Sequence, residues 1–309
     1  MKDINKFKEK ISSLHVSDYD VEKFALLYNE IPEGILDRNF IENITTDVNL
    51  KQRLSELNLS YVFCHQFTDA VSGQGKGPDL TICTKDKRIN IEIVTPLLVD
   101  GKEGRCMVFD NKIEPYSSTI TVVEEDSFRL RISSVFDSKL KQFKGWINDG
   151  LVSEHDINII CINIGYIDNL ANGDMDSLWR VFYKDVMLNI VYSDDFQTCK
   201  YELTPFDNII MKDGDIDKPI KQNYFENDDI DTSFISAVLV TQIKKPIKSE
   251  SVTGMGILFQ NPIVPVEIKS LLKNQHITIS KGEHPDAYFQ EQIKNDSLIV
   301  SSTDQTLQI

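Results

Sequence analysis

Residues 77–95 read GPDLTICTKDKRINIEIVT, and the fold prediction for the chain depends on this stretch. Two short runs rich in β-branched residues, 79–83 and 89–95, lie on either side of TKDKR, a polar segment that is typical of a turn. The pattern predicts two antiparallel strands joined as a hairpin. Alternation along the second strand places Asn90, Glu92 and Val94 on the face opposite the isoleucines.

Glu92 is a carboxylate inside an otherwise apolar strand, and Asp79 begins the partner strand. Burying an ionised carboxylate is costly unless a metal or a cationic side chain accompanies it. Two carboxylates on adjacent strands suit Mg²⁺, which binds one or two carboxylates together with water and leaves room for a phosphate oxygen. The hairpin therefore predicts a divalent-metal site at Asp79 and Glu92. A structural ion pair of Glu92 with Arg131 or Lys139 is the alternative.

Glycines surround Lys76 in the segment SGQGKGPD, residues 72–79. A phosphate-binding loop of the Walker type, like a dinucleotide-binding fingerprint, must lead directly into a helix. Here Gly77, Pro78 and strand-forming residues follow the lysine instead. The pattern therefore favours a flexible approach to Asp79 over a nucleotide cradle, and Lys76 is either a solvated cation or a contact to substrate phosphate.

Hydrophobic periodicity and capping signals predict an α/β fold, in which a small mixed sheet is flanked by helices in the order helix, three strands, helix, strand. The predicted helices are a lead-in helix capped by Ser17, then 40–57, a helix from Asp126 or Ser127 to Gly150, and 178–188; the predicted strands are 61–68, 79–83, 89–95, 157–165, 234–242 and 252–260. We divide the chain into an N-terminal helical extension (1–46), a core (47–168) and a C-terminal α+β extension packed on the core (169–309).

Pro78-Asp79, followed by Glu92 in INIEIVT within this order of elements, resembles the core of the PD-(D/E)XK nuclease superfamily, which has the restriction-endonuclease-like fold. The resemblance covers roughly residues 47–165. It implies a nuclease that hydrolyses phosphodiester bonds of DNA or RNA, with Mg²⁺ or Mn²⁺ bound by Asp79 and Glu92. The backbone carbonyl of Ile93 is a further implied ligand.

The family carries a catalytic lysine two residues after the glutamate, whereas this chain has Val94. In some members the cation or a polar substitute lies on the following helix, and here Arg131, Val135, Lys139, Gln142 and Trp146 fall on one helical face. QFKGW, residues 142–146, resembles the Q-x-x-x-Y element of the RecB-like branch, with Trp146 in place of tyrosine.

The resemblance therefore implies catalytic roles for Lys139 and Gln142, and substrate contacts for Lys76, Arg131 and Trp146. A solvated helix face is the alternative for Lys139 and Gln142. An acidic residue of the first core helix often completes the site in this superfamily, and both Glu42 and Glu56 are available. His65 is either a general base or a core residue.

The chain of 309 residues has a formal net charge of −15, which argues against nucleic-acid binding over its whole surface. Much of the acid lies in 213–231, either a solvated loop or a surface for a protein partner. A catalytically silent binding or regulatory module of the same fold is therefore the alternative to a nuclease. We expect a cytoplasmic protein without a membrane span, because no long apolar segment is present. Whether the chain forms a homodimer is left open by the sequence.

Overall fold

The computed structural model describes residues 2–14, 16–67, 71–73, 76–84, 87–97, 125–167, 174–183, 186–192, 198–205, 210–213, 216–219, 221–247, 256–264, 276–279 and 307–308. The helices in these ranges are α1 (Ile4–Ser12), α2 (Asp18–Glu30), α3 (Asp47–Gln66), α4 (Glu125–Asn148) and α5 (Asp174–Phe182). The strands are β1 (Val71–Gly73), β2 (Leu80–Cys83), β3 (Arg88–Val94), β4 (Ile157–Asn163), β5 (Val186–Tyr192), β6 (Thr198–Pro205), β7 (Ile210–Asp213), β8 (Ile216–Pro219), β9 (Ala237–Thr241), β10 (Gly256–Gln260), β11 (His276–Ile279) and β12 (Leu307–Gln308).

Within the described ranges, a seven-stranded mixed sheet in the order β1-β2-β3-β4-β9-β10-β11 forms the central layer. The pairs β3–β4, β4–β9 and β10–β11 are parallel, and the other neighbours are antiparallel. Two smaller sheets, β12-β6-β5 and β7-β8, lie outside this layer. This arrangement confirms the predicted α/β class, with a mixed sheet and flanking helices.

Hydrophobic cores cover both faces of the central sheet, which explains why every residue of β4 is buried. The isoleucines of β3 belong to the core that contains α3, whereas Ile160 belongs to the core that contains α4. Glu92 is the register partner of Ile160 and alternates with the isoleucines, so its side chain lies on the α4 face.

Residues of 1–46 pack in the same core as α3 and β3, with Phe7, Phe24 and Ile44 among its buried members. The described part of this segment therefore has no separate core of its own. The proposed boundaries at residues 46 and 168 stay predictions.

The strand predicted over 61–68 is wrong, because α3 runs on to Gln66. Every residue from Leu54 to Cys64 is buried, so this part of the sequence lacks the polar face that reveals a surface helix. Its aromatic and β-branched residues then favoured a strand. The first strand of the sheet is instead β1, at Val71–Gly73.

Two predicted helices have different bounds. The helix expected over 40–57 begins at Asp47, where the Thr46 hydroxyl accepts a hydrogen bond from the Asn49 N–H at 3.2 Å. The helix expected over 178–188 is α5, which ends at Phe182, and β5 begins at Val186. The Ser17 cap of α2 is confirmed by the hydrogen bond that its side chain accepts from the Asp20 N–H.

The β2–β3 hairpin is confirmed, with Leu80 opposite Ile91. Helix α4 ends as predicted at Gly150, which has a positive φ of 71°. The Gly150 N–H donates to the Ile147 carbonyl at 3.0 Å and the Leu151 N–H to the Trp146 carbonyl at 2.9 Å, the bond pattern of a glycine-terminated helix. This end fixes where α4 lies on the sheet.

The part of the acidic tract from Lys221 to Asp231 packs against α4. Lys221 Nζ lies 2.6 Å from Asp137 Oδ2, and the buried Tyr224 hydroxyl donates to the Ser133 carbonyl at 3.1 Å. Asp228 and Asp229 are exposed. Separately, none of the helices in the described ranges combines the length and apolarity that crossing a bilayer requires.

Candidate functional site

Asp79 and Glu92 interlock at the start of the hairpin. Asp79 Oδ2 accepts a hydrogen bond from the Ile93 N–H at 2.7 Å, and the Asp79 N–H donates to Glu92 Oε2 at 3.2 Å. Both contacts form where β2 has not yet begun, since its first residue is Leu80. The structure therefore places the two predicted metal ligands side by side.

Pro78 explains why this end of the hairpin is open. Continuing the register from the Leu80–Ile91 pair places Pro78 opposite Ile93. Proline has no N–H, so it has no backbone donor for the Ile93 carbonyl. In an antiparallel pair the N–H and C=O of one residue point to the same neighbour. The Ile93 carbonyl is thus directed to the side on which Asp79 lies.

Helix α4 brings Lys139 and Gln142 to the same point. Lys139 Nζ lies 2.6 Å from Glu92 Oε1 and donates to Gln142 Oε1 at 2.9 Å. Glu92 is 4% exposed, and the Lys139 side chain is 18% exposed. The lysine therefore reaches down from the rim to a buried carboxylate, so the ion pair weighed as an alternative exists.

Glu56 of α3 lies on the other side of Asp79. This residue is 9% exposed, and its carboxylate accepts a hydrogen bond from Arg53 Nη1 at 2.5 Å. Glu42, the other acidic candidate, pairs with Lys6 Nζ at 2.5 Å on the surface. The structure thus brings Glu56 towards the site and leaves Glu42 outside it.

Burial and mutual repulsion change the acidity of these carboxyl groups. Burial, then the charge of Asp79, raises the pKa of Glu92 to about 8, although Lys139 opposes the shift. The same two causes raise the pKa of Glu56 to about 7, with Arg53 in opposition. Burial also raises the pKa of Asp79, opposed by the hydrogen bond from Ile93 and by the charges of Lys139 and Arg53. Burial thus outweighs the neighbouring cations at all three groups.

The donor set fits a hard divalent ion. Within the described ranges, no group of three or more His, Cys, Asp or Glu side chains is arranged to hold a metal ion. Mg²⁺ binds one or two carboxylates and retains several water molecules, so Asp79, Glu92 and the Ile93 carbonyl are sufficient ligands.

Two other predicted site residues lie apart from this cluster. Arg131 precedes Lys139 by about two turns of α4, roughly 12 Å along the helix axis. Trp146 is 9% exposed and packs edge-on against Phe143, with ring centroids 5.1 Å apart. Its ring therefore belongs to the α4 core, and its predicted substrate contact has no support in this position.

Lys76 is exposed in the loop that precedes Asp79, as the predicted approach to the site requires. His65 is exposed on α3, where its ring lies against that of Tyr61 at a centroid distance of 4.0 Å and a tilt of 37°. The interpretation of His65 as a core residue is therefore wrong, and its role as a general base stays a prediction.

Arg53 is the site residue that sequence reasoning missed. Its guanidinium contacts Glu56 and lies 5.7 Å from the ring centroid of Phe40. The available signal was the spacing of Arg53 and Glu56, three residues apart on one helix, which brings their side chains together.

The cluster can hold a divalent cation, and two basic side chains lie beside it. Such an arrangement can bind and polarise a phosphate group. Comparison of the chain with models of protein families, with curated proteins and with solved structures gives no match in any of the three.

Proposed function

We propose that the protein is a metal-dependent nuclease of the PD-(D/E)XK type, which hydrolyses phosphodiester bonds of DNA or RNA. The observation that carries this proposal is the contact of Asp79, Glu92 and Lys139 at the open end of the hairpin. The element order α3-β1-β2-β3-α4-β4 supports a restriction-endonuclease-like topology for this part of the chain.

In this proposal Asp79, Glu92 and the Ile93 carbonyl hold Mg²⁺ or Mn²⁺. The ion supplies Lewis-acid chemistry, which lowers the pKa of a bound water and neutralises charge on the phosphate. Asp79 is oriented for this task by the Ile93 N–H, and Glu92 by the Asp79 N–H. Burial excludes bulk water from the Glu92 carboxylate and strengthens its interaction with a cation.

Lys139 takes the part that the family assigns to the lysine after the glutamate. Val94, which stands at that position, packs against the α4 core. Lys139 reaches the same carboxylate from α4, and Gln142 holds its ammonium group in place. We assign to Lys139 and Gln142 the orientation of the attacking water or of the scissile phosphate.

The experiment is a cleavage assay on DNA and RNA, single- and double-stranded, with Mg²⁺ or Mn²⁺. Asp79→Asn and Glu92→Gln keep the size of each side chain, and we expect both to reduce cleavage to background. Glu42→Gln, which removes a carboxylate outside the site, serves as the control and retains activity. Absence of cleavage by the parent protein, or full activity of Asp79→Asn, contradicts the proposal.

A catalytically silent binding or regulatory module of the same fold is the second candidate. The observation that favours it is the contact with Lys139, whose ammonium group already lies 2.6 Å from Glu92 Oε1. Calorimetry separates the two: a nuclease requires a divalent-metal site that Asp79→Asn abolishes, and a silent module does not. A homodimer and a protein partner at residues 213–231 stay predictions.

A further inference from the structure

We propose that Lys139 is a tethered competitor of the divalent ion: metal binding displaces its ammonium group from Glu92, and Gln142 retains the displaced group. This inference rests on the metal site of the proposed function, but it does not require that the protein cleave nucleic acid. In this inference Lys139 controls when the site binds a divalent ion.

The hydrogen bonds of the two carboxylates point to this exchange. Backbone N–H groups already bind Asp79 Oδ2 and Glu92 Oε2. Glu92 Oε1 is the oxygen of that residue which turns away from the Asp79 backbone, and Lys139 Nζ lies 2.6 Å from it. The ammonium group thus occupies the place at which a metal ion would meet Glu92.

The two cations cannot share this oxygen without strong repulsion. Mg²⁺ binds carboxylate oxygens at about 2.0–2.1 Å, which would bring it close to an ammonium group on the same atom. The pair is largely shielded from water, since the Glu92 side chain is 5% exposed, so the repulsion is weakly screened. One of the two cations must leave.

Gln142 offers the displaced ammonium a partner. Its Oε1 accepts from Lys139 Nζ at 2.9 Å, and the two residues are three apart on α4. The Lys139 side chain is 18% exposed, so it has a way out towards solvent. On leaving Glu92, the ammonium would keep the Gln142 contact and would face whatever anion approaches the metal.

Removing the lysine charge should therefore strengthen metal binding. Removal of the Lys139 charge also makes Glu92 bind a proton more tightly. A divalent ion carries twice the charge of a proton, so its binding free energy at Glu92 improves by more. We expect Lys139→Met and Lys139→Gln to bind Mg²⁺ at least about tenfold more tightly than the parent. Lys139→Gln retains a hydrogen-bond donor for Glu92, so it provides a second measurement if the methionine variant folds poorly.

The measurement is a calorimetric titration of the full chain with Mg²⁺ and with Mn²⁺, at one pH and one ionic strength. Lys141→Met is the matched control, because it removes the same charge from an exposed position two residues along α4. We expect its affinity to stay within about twofold of the parent. Thermal melting without metal establishes that each variant is folded.

Equal or weaker metal binding by the folded Lys139 variants overturns the inference, and so does a shift of the same size in Lys141→Met. Absence of metal binding in every protein overturns both this inference and the metal site. Tighter binding in the Lys139 variants without cleavage of nucleic acid by the parent supports the inference and contradicts the nuclease. Cleavage by the parent with unchanged metal affinity in the variants supports the nuclease and contradicts the inference.

Discussion

The carboxylate of Asp79 accepts the backbone N–H of Ile93 at 2.7 Å, at the point where the hairpin register would place Pro78. A side chain thus replaces a strand carbonyl, and the ladder ends at the Leu80–Ile91 pair. The carboxylates of Asp79 and Glu92 therefore meet at the end of a sheet and not inside it. The Pro-Asp dipeptide is what creates this end.

Pro78→Ala tests the part that proline plays in keeping the Ile93 carbonyl available. Alanine adds an N–H that can pair with this carbonyl and extend β2 by two residues, from Leu80 back to position 78. We expect Mg²⁺ affinity, measured by calorimetry, to fall several-fold, whereas Gly77→Ala, whose Cβ meets nothing within 4 Å, leaves it unchanged. Loss of the proline also destabilises the fold by roughly 0.4–1 kcal/mol through the unfolded chain. Unchanged affinity in Pro78→Ala would show that this carbonyl is not a ligand.

Glu92→Gln should change how stability depends on pH in metal-free protein. The pKa of Glu92 is raised to about 8, above its value in the unfolded chain, so from about pH 5 to 8 the folded state holds a proton that the unfolded state has lost. Stability that is present below this window is therefore lost as pH rises through it. The glutamine cannot ionise, so the decline should be shallower, by up to about 1.4 kcal/mol per pH unit.

Urea unfolding of parent and Glu92→Gln between pH 5 and 9, with a chelator present, measures the two slopes. Glu56, whose pKa is raised to about 7, contributes a decline of the same sign in both proteins. Parallel slopes would mean that Glu92 is already ionised at pH 5 in the folded state.

Glu56→Gln and Glu42→Gln form a matched pair that tests which acidic residue supports the site. Glu56 is buried, and the charge of Asp79 acts on it, whereas Glu42 is half exposed and pairs with Lys6. We expect Glu56→Gln to weaken Mg²⁺ binding by about tenfold, in the range typical of residues that orient metal ligands. Glu42→Gln should have no effect, because an exposed ion pair is worth little. The opposite ranking in calorimetry would place the metal elsewhere.

Gly165→Ala and Gly145→Ala should change stability in opposite directions. A Cβ at Gly165 would lie 2.6 Å from the Ile243 carbonyl carbon and oxygen, and backbone atoms cannot yield easily. We expect a loss of about 1–3 kcal/mol or more in urea unfolding. Gly145 lies within α4, and its Cβ meets nothing within 4 Å, so alanine there should gain about 0.5–1 kcal/mol. Equal stabilities would mean that the segments that follow β4 and β9, which carry Gly165 and Ile243, can move apart.

Local patterns were enough to predict the elements that build the site. Two-residue periodicity in β3, the turn-like segment before it and the apolar stripe of α4 each act over a few residues, so they can be read without knowing the neighbours in space. The prediction of a strand over 61–68 failed for the opposite reason. Its helix is buried on every side by other parts of the chain, and the sequence carries no polar face to mark it.

The amino-acid sequence alone was sufficient for the hairpin, for the proximity of Asp79, just before β2, to Glu92 in β3, and for the helix face that carries Lys139 and Gln142. It left the choice between Glu42 and Glu56 open and did not indicate Arg53. These depend on where α3 and α4 cross the sheet, which places Arg53 and Glu56 on one side of Asp79 and Lys139 on the other. The packing of distant segments alone sets the burial that raises the pKa of Glu92 and brings a lysine 47 residues away to its carboxylate.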